Sequence, residues 1–339
     1  MWHILSKNGI LKMDRLKIIT YSRIHITLVG MSTEGYRRNG GIGFSINKPS
    51  MTCVFNPSEN FEIFDNRTIP LNKKELSKLI IHLKSLRKKY KCEKVFTCVI
   101  EGSIIPHCGF GSSTMLYLSV TEALLRLNGI KYDREQLVRD SGRGGTSGIG
   151  INTYFEGGFI CDIGIKNIDE QSTITPSSIA KNYQLPLVIY RHDMPQWEMG
   201  ICILKRVQNL SKQQEISFFK EVKGLEQIEI NKILYHTIYG VVASIEENDL
   251  EMFSQAIKNI QSTQWKLLER SNYGDEIGNA ERILYQNGAK SVGMSSMGPL
   301  LFFTGDDING IIQRVNNSNL EMECFPVKPN NSPRKLMLI

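Results

Sequence analysis

Between Val95 and Thr114 the chain passes from an apolar, strand-like run (Val95 to Ile100) through a short turn with two glycines to a row of hydroxyls. The turn reads Pro106-His107-Cys108-Gly109-Phe110-Gly111-Ser112-Ser113-Thr114, and Met115, Leu116, Val120, Leu124 and Leu127 follow at helical spacing. Strand, glycine turn and helix in that order leave backbone N–H groups unpaired at a helix N-terminus, where the helix dipole favours an anion. Gly109 and Gly111 let the main chain approach a phosphate closely. Ser112, Ser113 and Thr114 offer hydroxyls to the same anion, and Ser112 is the first candidate to touch a bound Mg²⁺. An ordinary Gly/Ser N-cap has the same composition, so this stretch alone leaves both readings open.

A second stretch shifts the balance. Asp140-Ser141-Gly142-Arg143-Gly144-Gly145-Thr146-Ser147-Gly148-Ile149-Gly150 holds five glycines in eleven positions and a single arginine. A strand-like run from Ile151 to Asp162 follows it, broken by Gly157-Gly158, which a linker would not need. Gly144, Ser147 and Gly148 are therefore read as a second phosphate-facing loop, with Arg143 as its cation. Nearer the N-terminus, Leu16 to Val29 is rich in β-branched residues and places Arg23 and His25 on one face of a strand. Gly40-Gly41-Ile42-Gly43 is either a close-approach site or a hairpin turn. A third distinctive stretch, Gly288 to Pro299, contains Ser295 and Ser296 and precedes an apolar strand, Leu300 to Phe303.

The 339 residues suffice for two domains with real cores. The boundary is placed in the polar Ser/Thr/Pro stretch 165–182, giving domains 14–182 and 183–339. Strands at 185–191 and 199–204, a helical region beyond Ser211, a helix at 305–316 and a strand at 320–327 complete the second half. The net charge of +7 suits an anionic ligand and also nucleic acid. Much of the excess is concentrated in an amphipathic helix at 71–91, whose lysines form an outer face over Leu76, Leu79, Ile80, Leu83 and Leu86, and a solvated face accounts for it. Seven scattered cysteines with no CxxC pair imply reduced thiols in a cytoplasmic protein, and Cys108 is expected to be a buried filler. No apolar run reaches the roughly 18 residues of a membrane span. Met13 is an alternative start.

With these stretches placed, Pro-x-x-Gly-x-Gly-Ser-Ser opening a helix resembles the signature of the GHMP small-molecule kinase superfamily. Arg23-x-His25, Gly40-Gly41-x-Gly43, His107-x-Gly109-Phe110-Gly111-Ser112, Gly142-Arg143-Gly144, Ser147-Gly148-Ile149-Gly150, Glu156-Gly157-Gly158-Phe159 and Ser295-Ser296-x-Gly298-Pro299 together resemble, more narrowly, β-ribofuranosylaminobenzene 5′-phosphate synthase and its C-nucleoside-forming relatives. The resemblance implies a two-domain α+β, GHMP kinase-like fold: an N-terminal half like domain 2 of ribosomal protein S5 and a ferredoxin-like C-terminal half, with the ligand between them. It implies phosphoribosyl pyrophosphate as donor, Mg²⁺ as cofactor, an aromatic carboxylate such as 4-aminobenzoate as acceptor, release of CO₂ and pyrophosphate, and a homodimer, with no nucleic acid or membrane partner. Gly109, Gly111, Ser112, Ser113, Thr114 and Arg143 would hold the leaving diphosphate. Arg23, His25 and His107 would hold the acceptor carboxylate or the 5′-phosphate, and Ser295 and Ser296 would close the donor site from the second domain.

Three departures are readable. Superfamily kinases carry an Asp that activates the acceptor hydroxyl, and Gly150 stands in its place here. Met297 occupies a position where the synthases usually have an aromatic residue, and Leu300 one where Thr is usual. The alternative functions are an ATP-dependent GHMP-type kinase, with Asp162 or another acid as base, and a nucleic-acid-binding module using the basic helix.

Overall fold

The computed structural model describes residues 15–32, 35–144, 147–167, 185–222, 224–318 and 321–339. The domain boundary expected at 182/183 lies outside these residues, as do Met13 and most of the 165–182 connection.

Strands β1 (Leu16–Gly30), β2 (Arg37–Ser58), β3 (Glu62–Asp65), β4 (Val95–Gly102), β5 (Phe159–Asp162), β6 (Ile165–Lys166) and β7 (Val188–His192) belong to one sheet. Strands β8 (Met199–Leu204), β9 (Ser291–Met294), β10 (Leu301–Thr304) and β11 (Met322–Val327) form a second. The last strand, β12 (Lys335–Leu338), returns to the first sheet beside β1. That sheet runs β12-β1-β2-β4-β3, with β5 and β6 on the far part of β2 and β7 on β5. One long strand makes this possible. β2 pairs with β1 along most of its length, with β4 through Met51 to Ser58, and with β5 through Gly41 to Phe44.

The second sheet runs β11-β8-β10-β9, all antiparallel. Helices intervene between β8 and β9, and the helix Ile308–Asn316 lies between β10 and β11. That is the β-α-β-β-α-β path of a ferredoxin-like unit, as expected of the C-terminal half. Phe44 of the first sheet meets Phe302 of the second and Phe253 of the helix Leu250–Gln261 edge-on, at 6.2 and 6.5 Å. One apolar core therefore runs through both sheets.

One expectation is corrected and two stretches left open are resolved. Gly40 to Gly43 is not a turn but lies inside β2, and the reason is close approach. A Cβ on Gly43 would fall 2.2 Å from Ile24 O, and one on Gly40 2.7 Å from Asp162 O. The run from Ile151 to Asp162 is not one strand. Residues Ile149–Glu156 form a helix, and only Phe159–Asp162 is extended. Ile151 and Tyr154 pack on Leu118, Leu125, Leu137 and Val138, so burial at helical spacing overrides the β-branched and aromatic composition. Within Gly288 to Pro299, residues Ser291–Met294 are a strand paired with β10, where Gly293 sits under the Phe302 ring, 2.6 Å from where a Cβ would be.

The basic helix (Lys73–Tyr90) buries Leu79, Leu83 and Leu86 and starts with a capping box between Asn72 and Glu75. All seven cysteines are buried and unpaired, and burial pushes the Cys108 thiol up to about 12, which suits the expected filler. Among the described residues no helix is long and apolar enough to cross a membrane.

Candidate active site

The glycine turn opens the helix Ser112–Leu127, as expected. Gly111 occupies the N-cap at φ +80° and has no side chain to satisfy the first turn, so the leading amides face outward. Ser112, Ser113 and Thr114 line the cleft in front of them, together with Gly109, Gly111, His107 and Arg143. The glycines have a second reason that the sequence does not show. A Cβ on Gly109 would lie 2.7 Å from Ser295 O, and one on Gly111 3.1–3.3 Å from the Arg23 side chain. The loop is therefore packed between β1 and the 295–300 turn. Arg23 Nη1 donates to Gly109 O, Arg23 N–H to Phe110 O at 3.1 Å, and Ser295 Oγ to Gly109 O at 2.9 Å.

Arg23 and His25 share a face of β1 between two register shifts against β2. Arg23 Nε is buried and makes no hydrogen bond, and burial with the nearby charge of Arg143 lowers its pKa to about 10. His25 is 5% exposed, with Nε2 3.0 Å from Ser147 Oγ and Nδ1 without a partner. Its backbone takes a hydrogen bond from Ser296 N–H at 2.9 Å and gives one to Ser295 Oγ at 3.1 Å. Gly41 faces this pair, its missing Cβ 3.0 Å from His25 Nε2 and 3.1 Å from Ser147 Oγ.

Burial, then Arg23 and Lys266, hold the His25 pKa well below 6.5. The imidazole is thus neutral in the fold at neutral pH. The sign of the linkage follows: the unfolded chain takes up a proton below about 6.5 while the folded one does not, so this stabilisation is present above that pH and lost as pH falls. Wild type is expected to lose about 1.4 kcal/mol more stability per pH unit below 6.5 than His25→Gln, measured by chemical unfolding at pH 7.5, 6.5 and 5.5. Parallel curves for the two proteins would show that His25 is protonated in the fold.

The second glycine stretch arrives beside the first. Arg143 Nε and Nη2 lie 3.4 and 3.3 Å from Thr114 Oγ1. Gly144, Ser147 and Gly150 line the same cavity as Arg23, His25, Thr114 and Ser296. Gly150 faces Thr114, with ordinary space for a Cβ 3.5 Å from Thr114 Cγ2, so packing there does not exclude a side chain. Gly148 acts differently. Its N–H donates to Asp162 Oδ2 at 3.0 Å, while Gly164 N–H donates to Oδ1 at 3.0 Å. Asp162 is fully buried, and burial pushes its carboxyl up to about 7 against those two amides and Arg37. It ties loops together and lines neither cavity.

Of the expected residues, His107 stands furthest out. It is half-exposed at the rim, and its Nε2 meets Glu75 Oε1 of the basic helix at 2.5 Å. His192 and Asp193 lie on the exposed outer strand β7 and its turn, away from the cleft. Sequence reasoning missed Leu28, Phe219, Glu215, Lys266 and Glu269. The first two give the cavity an apolar wall with Ile151 and Met297. Lys266 is fully buried and donates to Glu269 Oε2 at 2.5 Å, Met294 O at 2.9 Å and Ser296 O at 3.4 Å. A Lys and a Glu three apart on a helix read as a solvated pair, so no sequence signal marked them.

Residues 75–155 match the GHMP kinases N terminal domain. Homoserine kinase from Cytophaga hutchinsonii superposes with a TM-score of 0.66 at 14% identity, covering 98% of this chain and all of that one. Mevalonate diphosphate decarboxylase from Enterococcus faecalis does so with a TM-score of 0.65 at 12% identity, covering 96% and 99%. These likenesses show the fold: a GHMP kinase-like α+β protein. The beta-ribofuranosylphenol 5′-phosphate synthase of Methanocaldococcus jannaschii is 28% identical over 337 residues, 94% of this chain and 99% of that protein. That of Methanothermobacter thermautotrophicus is 30% identical over 298 residues, 87% of this chain and 90% of its own length. Similarity of this extent, on a chain whose glycine loops, Arg23 and His25 meet in one cleft, shows that the protein belongs to the beta-ribofuranosylphenol 5′-phosphate synthase family of the GHMP superfamily.

Proposed function

We propose that the protein transfers a phosphoribosyl group from phosphoribosyl pyrophosphate to the carboxyl-bearing carbon of an aromatic carboxylate, releasing CO₂ and pyrophosphate. One observation carries this reading: two cavities adjoin and share part of their lining. One is the polar pocket of Gly109, Gly111, Ser112, Ser113 and Arg143. The other has walls of Leu28, Ile151 and Phe219. Arg23, Thr114, Glu215, Ser296 and Met297 line both. The pocket with the helix N-terminus and Arg143 suits a departing diphosphate, and the patch of Leu28, Ile151 and Phe219 in its neighbour gives a flat ring a surface to pack on.

Breaking the C1–pyrophosphate bond builds positive charge on the ribose and negative charge on the leaving oxygens. Free amides at the helix N-terminus and the forked donors of Arg143 stabilise the latter. Loss of CO₂ restores the ring, so a strong base at position 150 is not required. Met297 need not stack as an aromatic would, because Phe219 supplies a ring to the same wall.

Mg²⁺ is part of this proposal. No group of three His, Cys, Asp or Glu among the described residues could hold a metal by itself. A magnesium ion that keeps phosphate oxygens and waters needs only one or two protein ligands, and Ser112 and Glu215 on the polar pocket fit that role. Bound there, it would neutralise charge on the diphosphate.

The test is one incubation of labelled donor with a panel of aromatic carboxylates, reading CO₂ and pyrophosphate together. Equimolar release with Mg²⁺ is expected, along with a melting temperature raised by the donor and not by ATP. Turnover of ATP with an alcohol would overturn the reading. Ser112→Ala and Arg143→Ala are each expected to lower kcat/KM about tenfold or more, the loss of one charge-assisted contact. Unchanged kinetics in both would remove the loop from the donor site.

A further inference from the structure

A second carboxylate stands in the cavity that Leu28, Ile151 and Phe219 help to line. Glu269 lines that cavity but not the polar pocket, whereas Arg23 lines both. Only 2% of Glu269 is exposed. Trp265 Nε1 donates to its Oε1 at 2.9 Å, and Lys266 Nζ to its Oε2 at 2.5 Å. An ionised carboxylate accepts about four hydrogen bonds, so each oxygen keeps an acceptor site.

Pairing with Lys266 does not by itself explain a carboxylate here. Lys266 already donates to Met294 O and Ser296 O, which fixes the turn carrying Ser295. A buried ion pair is seldom more stable than apolar side chains of the same volume. Burial pushes the Glu269 carboxyl up and the Lys266 ammonium down, as expected when desolvation outweighs mutual attraction. What the cavity offers a ligand is therefore Arg23 and Glu215 where it adjoins the polar pocket, an apolar patch of Leu28, Ile151 and Phe219 among mostly polar walls, and a hydrogen-bond acceptor that the polar pocket does not share.

We propose that Glu269 accepts a hydrogen bond from a ring hydroxyl or amino group of the aromatic acceptor, at the end remote from the carboxylate that Arg23 receives, and thereby selects the acceptor and activates it. This rests on the ribosyl-transfer reading above. A ring carbon bearing a carboxylate is a poor nucleophile unless electrons are pushed into it from the opposite position. As the hydroxyl proton moves toward Glu269, the ring carbon bonds to C1 of the ribose and the C1–oxygen bond breaks, its electron pair leaving with pyrophosphate. The bond to the carboxylate then breaks, its pair restores the aromatic ring, CO₂ departs, and the proton returns from Glu269 to the ring oxygen. No oxidant, reductant or net proton is needed. The relatives' product, a ribofuranosylphenol phosphate by name, carries a hydroxyl of this kind.

The experiment compares 4-hydroxybenzoate with 4-methoxybenzoate, which donates electrons but has no proton to give. Both are run with phosphoribosyl pyrophosphate and Mg²⁺. Wild type is expected to prefer the hydroxyl acceptor at least 100-fold in kcat/KM. In Glu269→Gln that ratio should fall below about fivefold, while KM for the donor stays within threefold. Because Glu269→Gln leaves the Lys266 ammonium unpaired, the double variant Lys266→Met/Glu269→Gln is read the same way. A wild-type ratio near one, or an undiminished ratio in both variants, overturns the proposal while leaving ribosyl transfer standing. If wild type ribosylates no aromatic carboxylate, the parent reading fails and this one with it.

Discussion

Replacing Arg23 with glutamine is expected to lower kcat/KM by about 100-fold to 1,000-fold while leaving the melting temperature unchanged or slightly raised. Truncating one member of a buried, hydrogen-bonded charge pair costs about 2–5 kcal/mol at a binding site, and each 1.4 kcal/mol is tenfold. Arg23 has that character before any ligand arrives. Its Nε is buried with no acceptor, and burial with Arg143 lowers its pKa to about 10. The half-buried Arg23 and Arg143 guanidinium groups repel each other, and an anion between them reverses the sign. Glutamine removes the repulsion and the recognition together. Arg23→Lys should recover little, since a point ammonium does not reproduce the fork. Steady-state kinetics and a thermal melt on the same preparations decide it. A kcat/KM within threefold of wild type would reduce Arg23 to a strut for the Gly109 carbonyl.

The loops were legible because each carries its chemistry locally. Glycines at 109 and 111, hydroxyls at 112–114 and the arginine at 143 announce an anion site without reference to any partner. Their convergence was not legible from spacing. It needs β1 to present Arg23 and His25 to a turn 270 residues away, where Ser295 Oγ binds His25 N–H. Only the likeness of the ordered motifs to a known family brought the three stretches together in advance. The strands and helices of the second half showed through their periods, while their ferredoxin-like arrangement came from the resemblance alone; β12 did not show, because its reason is the open edge of β1. The helix Ile149–Glu156 was hidden by residues that favour strands, and its partners Leu118 and Leu137 lie elsewhere in the chain. Glu269 and Lys266 were hidden for the opposite reason. Charged residues look solvated in a sequence, and here both are among the most buried side chains.

The C-terminal segment supplies the second large effect, this time on stability. Arg334→Met is expected to destabilise the fold by about 3–5 kcal/mol and to lower the melting temperature by roughly 5–10 °C. Arg334 Nε and Nη2 donate to Glu122 at 2.9 and 2.6 Å, and its guanidinium stacks over Tyr154 and Phe155 at 4.9 and 4.8 Å. Glu122 is wholly buried on the helix that begins at the glycine turn, and Tyr132 and Tyr154 hydroxyls also donate to it, at 2.6 and 2.7 Å. Burial alone would raise the Glu122 pKa, but Arg334 and the two tyrosines hold it below the ordinary carboxylate value. A depressed carboxylate contributes stability above its unfolded pKa and loses it as pH falls through the folded one. Without Arg334 only the longer, part-exposed contact from Arg126 at 3.2 Å remains, so burial outweighs pairing, the sign inverts, and the carboxylate takes up a proton more readily than the unfolded chain does. The gap between wild type and Arg334→Met should therefore be widest near pH 7 and narrow below about pH 5. The double variant Glu122→Gln/Arg334→Met, which buries no lone charge, should be more stable than Arg334→Met alone. Urea unfolding of the three proteins at pH 7.5 and 5 measures all of this. A pH-independent gap would mean that Arg334 acts through its stacking on Tyr154 and Phe155 and not through its charge.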